Sequence, residues 1–169
     1  MGRLLYYQYF VEGENEEKLL KVLKTDMGLI EAGKIQKFNV VQEKITNARL
    51  MSLKEKTIVV LVFDTDTGKE KILRENIARL EKCKAVKQVL CVTQVKNLED
   101  ELIRSCDIKN AKELTGSFTD KEFKHDFIKD THLEQKLKRH KFDIEKLWIK
   151  NPTGGYKGIV NEAEKIKKK

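Results

Sequence analysis

An α/β fold with a mostly parallel four-stranded sheet flanked by helices is predicted by three observations. Apolar, β-prone runs alternate with amphipathic helical runs through the first two-thirds of the chain. One run, Ile58-Val59-Val60-Leu61-Val62-Phe63, is continuously apolar, as a central parallel strand covered on both faces requires. Acidic clusters follow two of the apolar runs, at the carboxyl edge where open α/β sheets bind their ligands.

Residues 3–11 are aromatic and β-branched and read as the first strand. Residues 13–27 have a helical period, with Leu19, Leu20, Val22 and Leu23 on the apolar side and Gly28 as a stop. Residues 34–42 suggest a second strand and 43–53 a short helix. The third strand spans 57–63, and the helix after it 68–81, with Ile72, Ile77 and Leu80 expected to face inward. A fourth strand over 86–95 and a helix over 97–106 complete a core assigned to residues 1–108. The remainder, 109–169, is read as a helical extension packed on that core. In it, residues 111–141 are polar and helical, with Phe118, Phe123, Phe127, Ile128, Leu133 and Leu137 as sparse apolar positions. An amphipathic piece over 142–149 holds the only tryptophan, Trp148. A loop at Asn151-Pro152-Thr153-Gly154-Gly155 leaves 159–169 as a terminal helix or basic tail.

Composition narrows the function. The 169 residues carry a net charge of +8, with 37% charged and 40% hydrophobic residues, which suits one globular domain with a real core. No apolar stretch is long enough to span a membrane and no secretory cleavage site follows the N-terminus, so a cytoplasmic protein is expected. Cys83, Cys91 and Cys106 lack metal-ligand spacing and read as reduced, mostly buried thiols, and His125, His132 and His140 as surface residues. Neither a Walker-type nor a dinucleotide fingerprint is present.

The acidic clusters carry the chemistry. In Phe10-Val11-Glu12-Gly13-Glu14-Asn15-Glu16, Glu12 ends a strand, Gly13 allows close approach of backbone, and Glu16 returns to the same side one helical turn later. The helix dipole favours acids at Glu14, Glu16 and Glu17 in any case. In Val62-Phe63-Asp64-Thr65-Asp66-Thr67-Gly68, alternation puts Asp64 and Asp66 on one side. Capping of the next helix would account for Asp66 or Thr67 but not for Asp64. A third group, Lys96-Asn97-Leu98-Glu99-Asp100-Glu101, offers Glu99 or Glu101, with capping by Asn97 as the plainer reading. Carboxylates converging at one sheet edge repel one another unless a cation lies between them, and oxygen donors suit Mg²⁺ or Mn²⁺. An acidic metal pocket in a basic chain points to phosphodiester chemistry on nucleic acid.

Glu12-Gly13 after the first strand and Asp64-Thr65-Asp66 after the third resemble the Toprim domain, found in topoisomerases, primases, OLD-type nucleases and small ribosomal-RNA-maturing ribonucleases. The resemblance covers about residues 3–106 and implies a Toprim-like, Rossmann-like sheet. It is nearest to OLD-type and related small defence nucleases. It implies a Mg²⁺- or Mn²⁺-dependent endonuclease with two ions, acting on DNA or RNA, DNA favoured, in phage defence. Asp64 and Asp66 would hold one ion, and Glu12, Glu16 and Glu99 (or Glu101) would help hold the second. Lys121 and Lys124 are the candidates for phosphate contact, with Lys124 assigned to catalysis beside Glu12, Asp64 and Asp66. OLD nucleases also carry an ATPase domain, absent from this sequence, so the resemblance implies a separate ATPase or other defence-system subunit as partner. The competing expectations are a Toprim ribonuclease acting on structured RNA, and a non-enzymatic binding module acting with a partner.

Overall fold

The computed structural model describes residues 5–168, so Arg3, Leu4 and Lys169, all included in the sequence reading, lie outside the described residues. The strands are β1 (Tyr6–Val11), β2 (Lys34–Lys37), β3 (Thr57–Asp64) and β4 (Val86–Gln94). The α-helices are α1 (Glu14–Lys21), α2 (Asn47–Met51), α3 (Glu70–Lys82), α4 (Leu98–Ser105), α5 (Lys112–Thr115), α6 (Asp120–Lys129) and α7 (Leu133–Arg139). A π-helical turn, Val22–Asp26, extends α1, and short 3₁₀ turns occur at Ile144–Lys146, Gly154–Tyr156 and Ala163–Lys165. The sheet order is β2-β1-β3-β4 and every pairing is parallel.

The expected α/β fold, with four parallel strands, flanking helices and a C-terminal helical region, is therefore the fold observed. No helix of the described residues is long and apolar enough to cross a membrane.

Alternation along the strands divides the core in two. Tyr9, Val11, Ile58, Val60, Val62, Leu90 and Val92 face α1, α4, α6 and α7, where Leu19, Leu20, Leu23, Phe123, Phe127, Leu133, Leu137 and Trp148 complete the layer. Phe10, Val59, Leu61, Phe63 and Cys91 face the opposite side, closed by Leu73 and Leu80 of α3 and by Tyr156 and Ile159. Burial on both faces is why β3 reads as a continuous apolar run. Removing a large aliphatic side chain from either layer costs about 2–5 kcal/mol.

Several boundaries differ from the sequence reading, each for a physical reason. The second strand stops at Lys37, and the helix expected over 43–53 shrinks to α2. The segment between them bonds instead to Asn76 of α3: Asn76 Oδ1 accepts from Ile45 N (2.8 Å), and Nδ2 donates to the carbonyls of Val40 and Glu43 (both 2.8 Å). The inward face of α3 accordingly runs Leu73–Asn76–Leu80, with Ile72 and Ile77 only partly buried. Gly68 has φ +78°, and a Cβ there would lie 2.4 Å from Val41 Cγ2, so the β3–α3 turn needs glycine on both counts. Residues 111–141 form three short helices, and Phe118 lies in the turn before α6, outside the core.

The C-terminal segment is docked rather than a free tail. Ile30 and Lys167 form an antiparallel bridge, Ile166 is buried, and Lys167 Nζ donates to Leu147 O (2.6 Å) and pairs with Glu164 (2.9 Å). All three cysteines are free thiols; burial pushes Cys91 up to about 12 and Cys106 up to about 11, which suits inert packing residues.

Asn76→Ala should therefore destabilise the fold by about 3 kcal/mol, since it orphans the buried Ile45 N–H and two carbonyls. Urea denaturation measures this; an unchanged midpoint would show that water replaces the amide.

Candidate active site

The chain leaves β1 toward β2 on one side of the sheet and leaves β3 toward β4 on the other. The seam between β1 and β3 is thus the topological switch point, where a crevice opens beyond the carboxyl ends of the strands. Val11 is in register with Val62, so Glu12 emerges beside the end of β3. Glu12 Oε2 accepts from the Asp64 backbone N–H at 2.9 Å, so the two clusters are brought together by a direct bond. Its Oε1 has only longer contacts, 3.4 Å from Thr67 Oγ1 and 3.5 Å from Asn39 Nδ2.

Glu16 is buried on the first turn of α1. The Gly13 backbone is extended (φ −153°), so its value is room rather than a turn: a Cβ would sit 3.3 Å from Glu16 Oε2. Burial, and then the charges of Glu12 and Glu99, raise the Glu16 carboxyl above its ordinary value against its own hydrogen bonds. Asp64 is affected more. Burial first, then Glu12, then Glu16 push its carboxyl up to about 9, despite the hydrogen bond from Gln94.

Gln94 was not singled out in the sequence, yet it is central to the site. It is fully buried at the end of β4, in register with Asp64. Its Nε2 donates to Asp64 Oδ1 (2.6 Å) and lies 3.4 Å from Glu16 Oε1, while its Oε1 accepts from Trp148 Nε1 (3.3 Å). The indole N–H, a donor only, fixes which end of the amide faces the carboxylates. The signal available in the sequence was a polar residue closing an apolar strand beside two acid-tipped ones.

The third acidic group resolves by position. Glu101 is fully buried and holds the chain: it accepts from Val95 N (2.8 Å) and Trp148 N (2.9 Å), with Arg104 2.7 Å away in an ion contact. Glu99 is partly exposed and its charge reaches Glu16. Asn97 caps α4 by accepting from Asp100 N (3.0 Å), and its Nδ2 also donates to Asp66 Oδ2 (3.1 Å). Neither Asp66 nor Thr67 caps α3, whose N-cap is Lys69 with no side-chain bond. Asp66 is exposed at the mouth of the crevice, on a loop held by Tyr156, whose hydroxyl donates to Thr67 O at 2.6 Å.

Lys124 belongs to α6, which lies along α1: Asn15 Nδ2 donates to Lys124 O at 3.2 Å. Lys121 and Lys124 are both exposed. The structure thus brings together Glu12, Glu16, Asp64 and Gln94, sets Asp66 and Glu99 at the rim, and turns Glu101 to a structural role.

Among the described residues, no three His, Cys, Asp or Glu side chains converge into a finished metal cage. The donors nevertheless fit Mg²⁺ or Mn²⁺. They are hard carboxylate oxygens, burial and then neighbouring charge disfavour the ionised forms of Glu16 and Asp64, and Mg²⁺ commonly takes one or two carboxylates and fills its other positions with water. Comparisons with protein-family models, curated proteins and solved structures found no match.

The raised Asp64 carboxyl has a stability consequence. Between the ordinary carboxylate range and about 9, the folded chain keeps a proton that the unfolded chain releases, so stability falls as pH rises through that window. In chelator, the wild-type thermal midpoint should drop from pH 5 to pH 9, and Asp64→Asn should flatten the slope. Equal slopes for the two proteins would contradict the assignment.

Proposed function

We propose that the protein is a Mg²⁺- or Mn²⁺-dependent nuclease of the Toprim type, hydrolysing phosphodiester bonds in nucleic acid, DNA first, in the cytoplasm and in phage defence. The observation that carries this reading is the crowding of Glu12, Glu16 and Asp64 at the β1–β3 seam, which a divalent cation would relieve. Asp64 and Asp66 would hold one ion, and Glu12, Glu16 and Glu99 would help hold a second. Bound ions of this kind supply charge neutralisation at phosphate and acidify water toward neutral pH.

The chain's own residues do the positioning. The Asp64 N–H anchors Glu12 through one oxygen and leaves the other in longer contacts. Gln94 fixes one oxygen of Asp64 and does not engage the other. Lys124, with Lys121 one turn away, would pair with phosphate oxygens of the bound strand. Hydrolysis adds water across the bond: water oxygen joins phosphorus, the bond to the leaving sugar oxygen breaks, and that oxygen takes up a proton. The net charge of +8 favours a polyanionic partner whose binding weakens with salt. ATP-driven control would come from a separate subunit.

A second reading, a binding module that keeps the fold without the chemistry, is favoured because Glu12, Glu16 and Asp64, though brought near one another, do not form a finished metal cage among the described residues.

Purified protein should cleave plasmid DNA with Mg²⁺ or Mn²⁺ and not with EDTA. The Asp64→Asn, Asp66→Asn double variant should lose at least about a hundredfold in rate. Structured RNA run alongside tests the ribonuclease alternative. Lys124→Ala should lower the rate about tenfold and reduce the salt slope of DNA binding by about one. A folded wild type that cleaves neither polymer with either metal would overturn the enzyme reading, and tight binding without cleavage would establish the module.

A further inference from the structure

We propose that Phe118 is a stacking platform for an unpaired base of the bound strand, so that the site takes single-stranded or locally unpaired nucleic acid. This inference rests on the nuclease reading and adds the substrate class. Phe118 is 89% exposed. A lone exposed apolar residue is ordinary; its mounting, its place and its neighbours set this one apart.

The mounting is rigid. Ser117 Oγ donates to Asp126 (2.6 Å) and lies 2.6 Å from Thr115 Oγ1; Phe118 N donates to Glu122 Oε2 (3.0 Å); Thr119 Oγ1 accepts from Glu122 N (3.0 Å). Ser117 N and Gly116 N both donate to Lys112 O (3.1 and 2.8 Å). The ring is therefore held out into solvent by a turn braced by these bonds, and ordering it on binding costs little.

The place follows from helix direction. α1 starts at the carboxyl edge of the sheet and runs away from it. α6 runs the same way, since Lys124 meets Asn15 at the start of α1, and α7 beyond it packs on the π-helical turn that ends it. Going back along α6 from Lys124 through Lys121 to Phe118 thus leads toward the edge that carries Glu12, Asp64 and Asp66.

The neighbours suit a phosphate backbone. Glu122 and Asp126 are engaged within the turn, and Asp120 pairs with Lys112 (3.7 Å). Among the described residues no carboxylate pairs with Lys121 or Lys124. An aromatic face beside uncommitted ammonium groups is how proteins hold unpaired strands, stacking on bases while cations follow the phosphates.

The test separates binding from cleavage. Wild type, Phe118→Ala, Phe118→Leu and Phe118→Trp are titrated in EDTA with fluorescein-labelled single strands of DNA and of RNA and with the matching duplex. Cleavage is measured in parallel with Mg²⁺. We expect wild type to prefer single strands, Phe118→Ala and Phe118→Leu to lose about tenfold in single-strand affinity with little change on duplex, and Phe118→Trp to keep it. The leucine variant is decisive, because it preserves apolar area and removes the π-face. Wild type that cleaves nucleic acid while Phe118→Ala binds single strands equally well would overturn the stacking claim alone. A wild type that neither binds nor cleaves would overturn this claim and the nuclease reading together.

Discussion

The constraint on which the molecule turns is the burial of carboxylates that the sheet also forces together. Parallel pairing of β1 with β3 places Glu12 against the end of its neighbour, and the Asp64 N–H holds it there. Two more acids, Glu16 and Asp64, then share a partly desolvated corner. Folding tolerates this because a carboxyl in such a corner can keep its proton, and because one neutral amide, Gln94, is placed among the acids with its donor end toward them.

That amide connects the sheet to the last part of the chain. Trp148 donates to Gln94 from its ring and to Glu101 from its backbone, and Asn161 ties back to the carbonyls of Trp148 and Lys150 (2.6 and 3.1 Å). On the opposite face, Tyr156 packs on Phe63 with ring centroids 5.9 Å apart and holds the loop that bears Asp66. Residues 148–161 thus brace the site from both sides of the sheet. The single tryptophan is a core residue with a second task, consistent with an aromatic whose polar end must find a partner when buried.

Much of this was legible in the sequence, and what was not has a common cause. β1, β3 and β4 could be read because burial leaves an apolar signature that needs no knowledge of partners, and the acidic clusters expected at one sheet edge meet there because β1 and β3 are neighbours. β2 and α2 were overextended because the backbone at 40–45 is satisfied by Asn76, a residue distant in sequence. Glu99 and Glu101 are indistinguishable by spacing; only the position of Trp148 shows which one is a buried clamp. Gln94 was passed over for the same reason, since its importance lies in the side chains it meets rather than in its own type. Phe118, read among the sparse apolar residues of a helix, lies in a turn, where periodicity carries no information.

The bracing by residues 148–161 also sets an order of events in time. The four strands and every acid of the seam emerge from a ribosome well before Trp148 does. Until it arrives, Gln94 has no indole to choose its orientation, and the loop bearing Asp66 lacks its tyrosine latch. A chain synthesised only as far as α4 therefore carries all the acids in an unfinished arrangement, and the corner sharpens only once residues 148–161 have joined it.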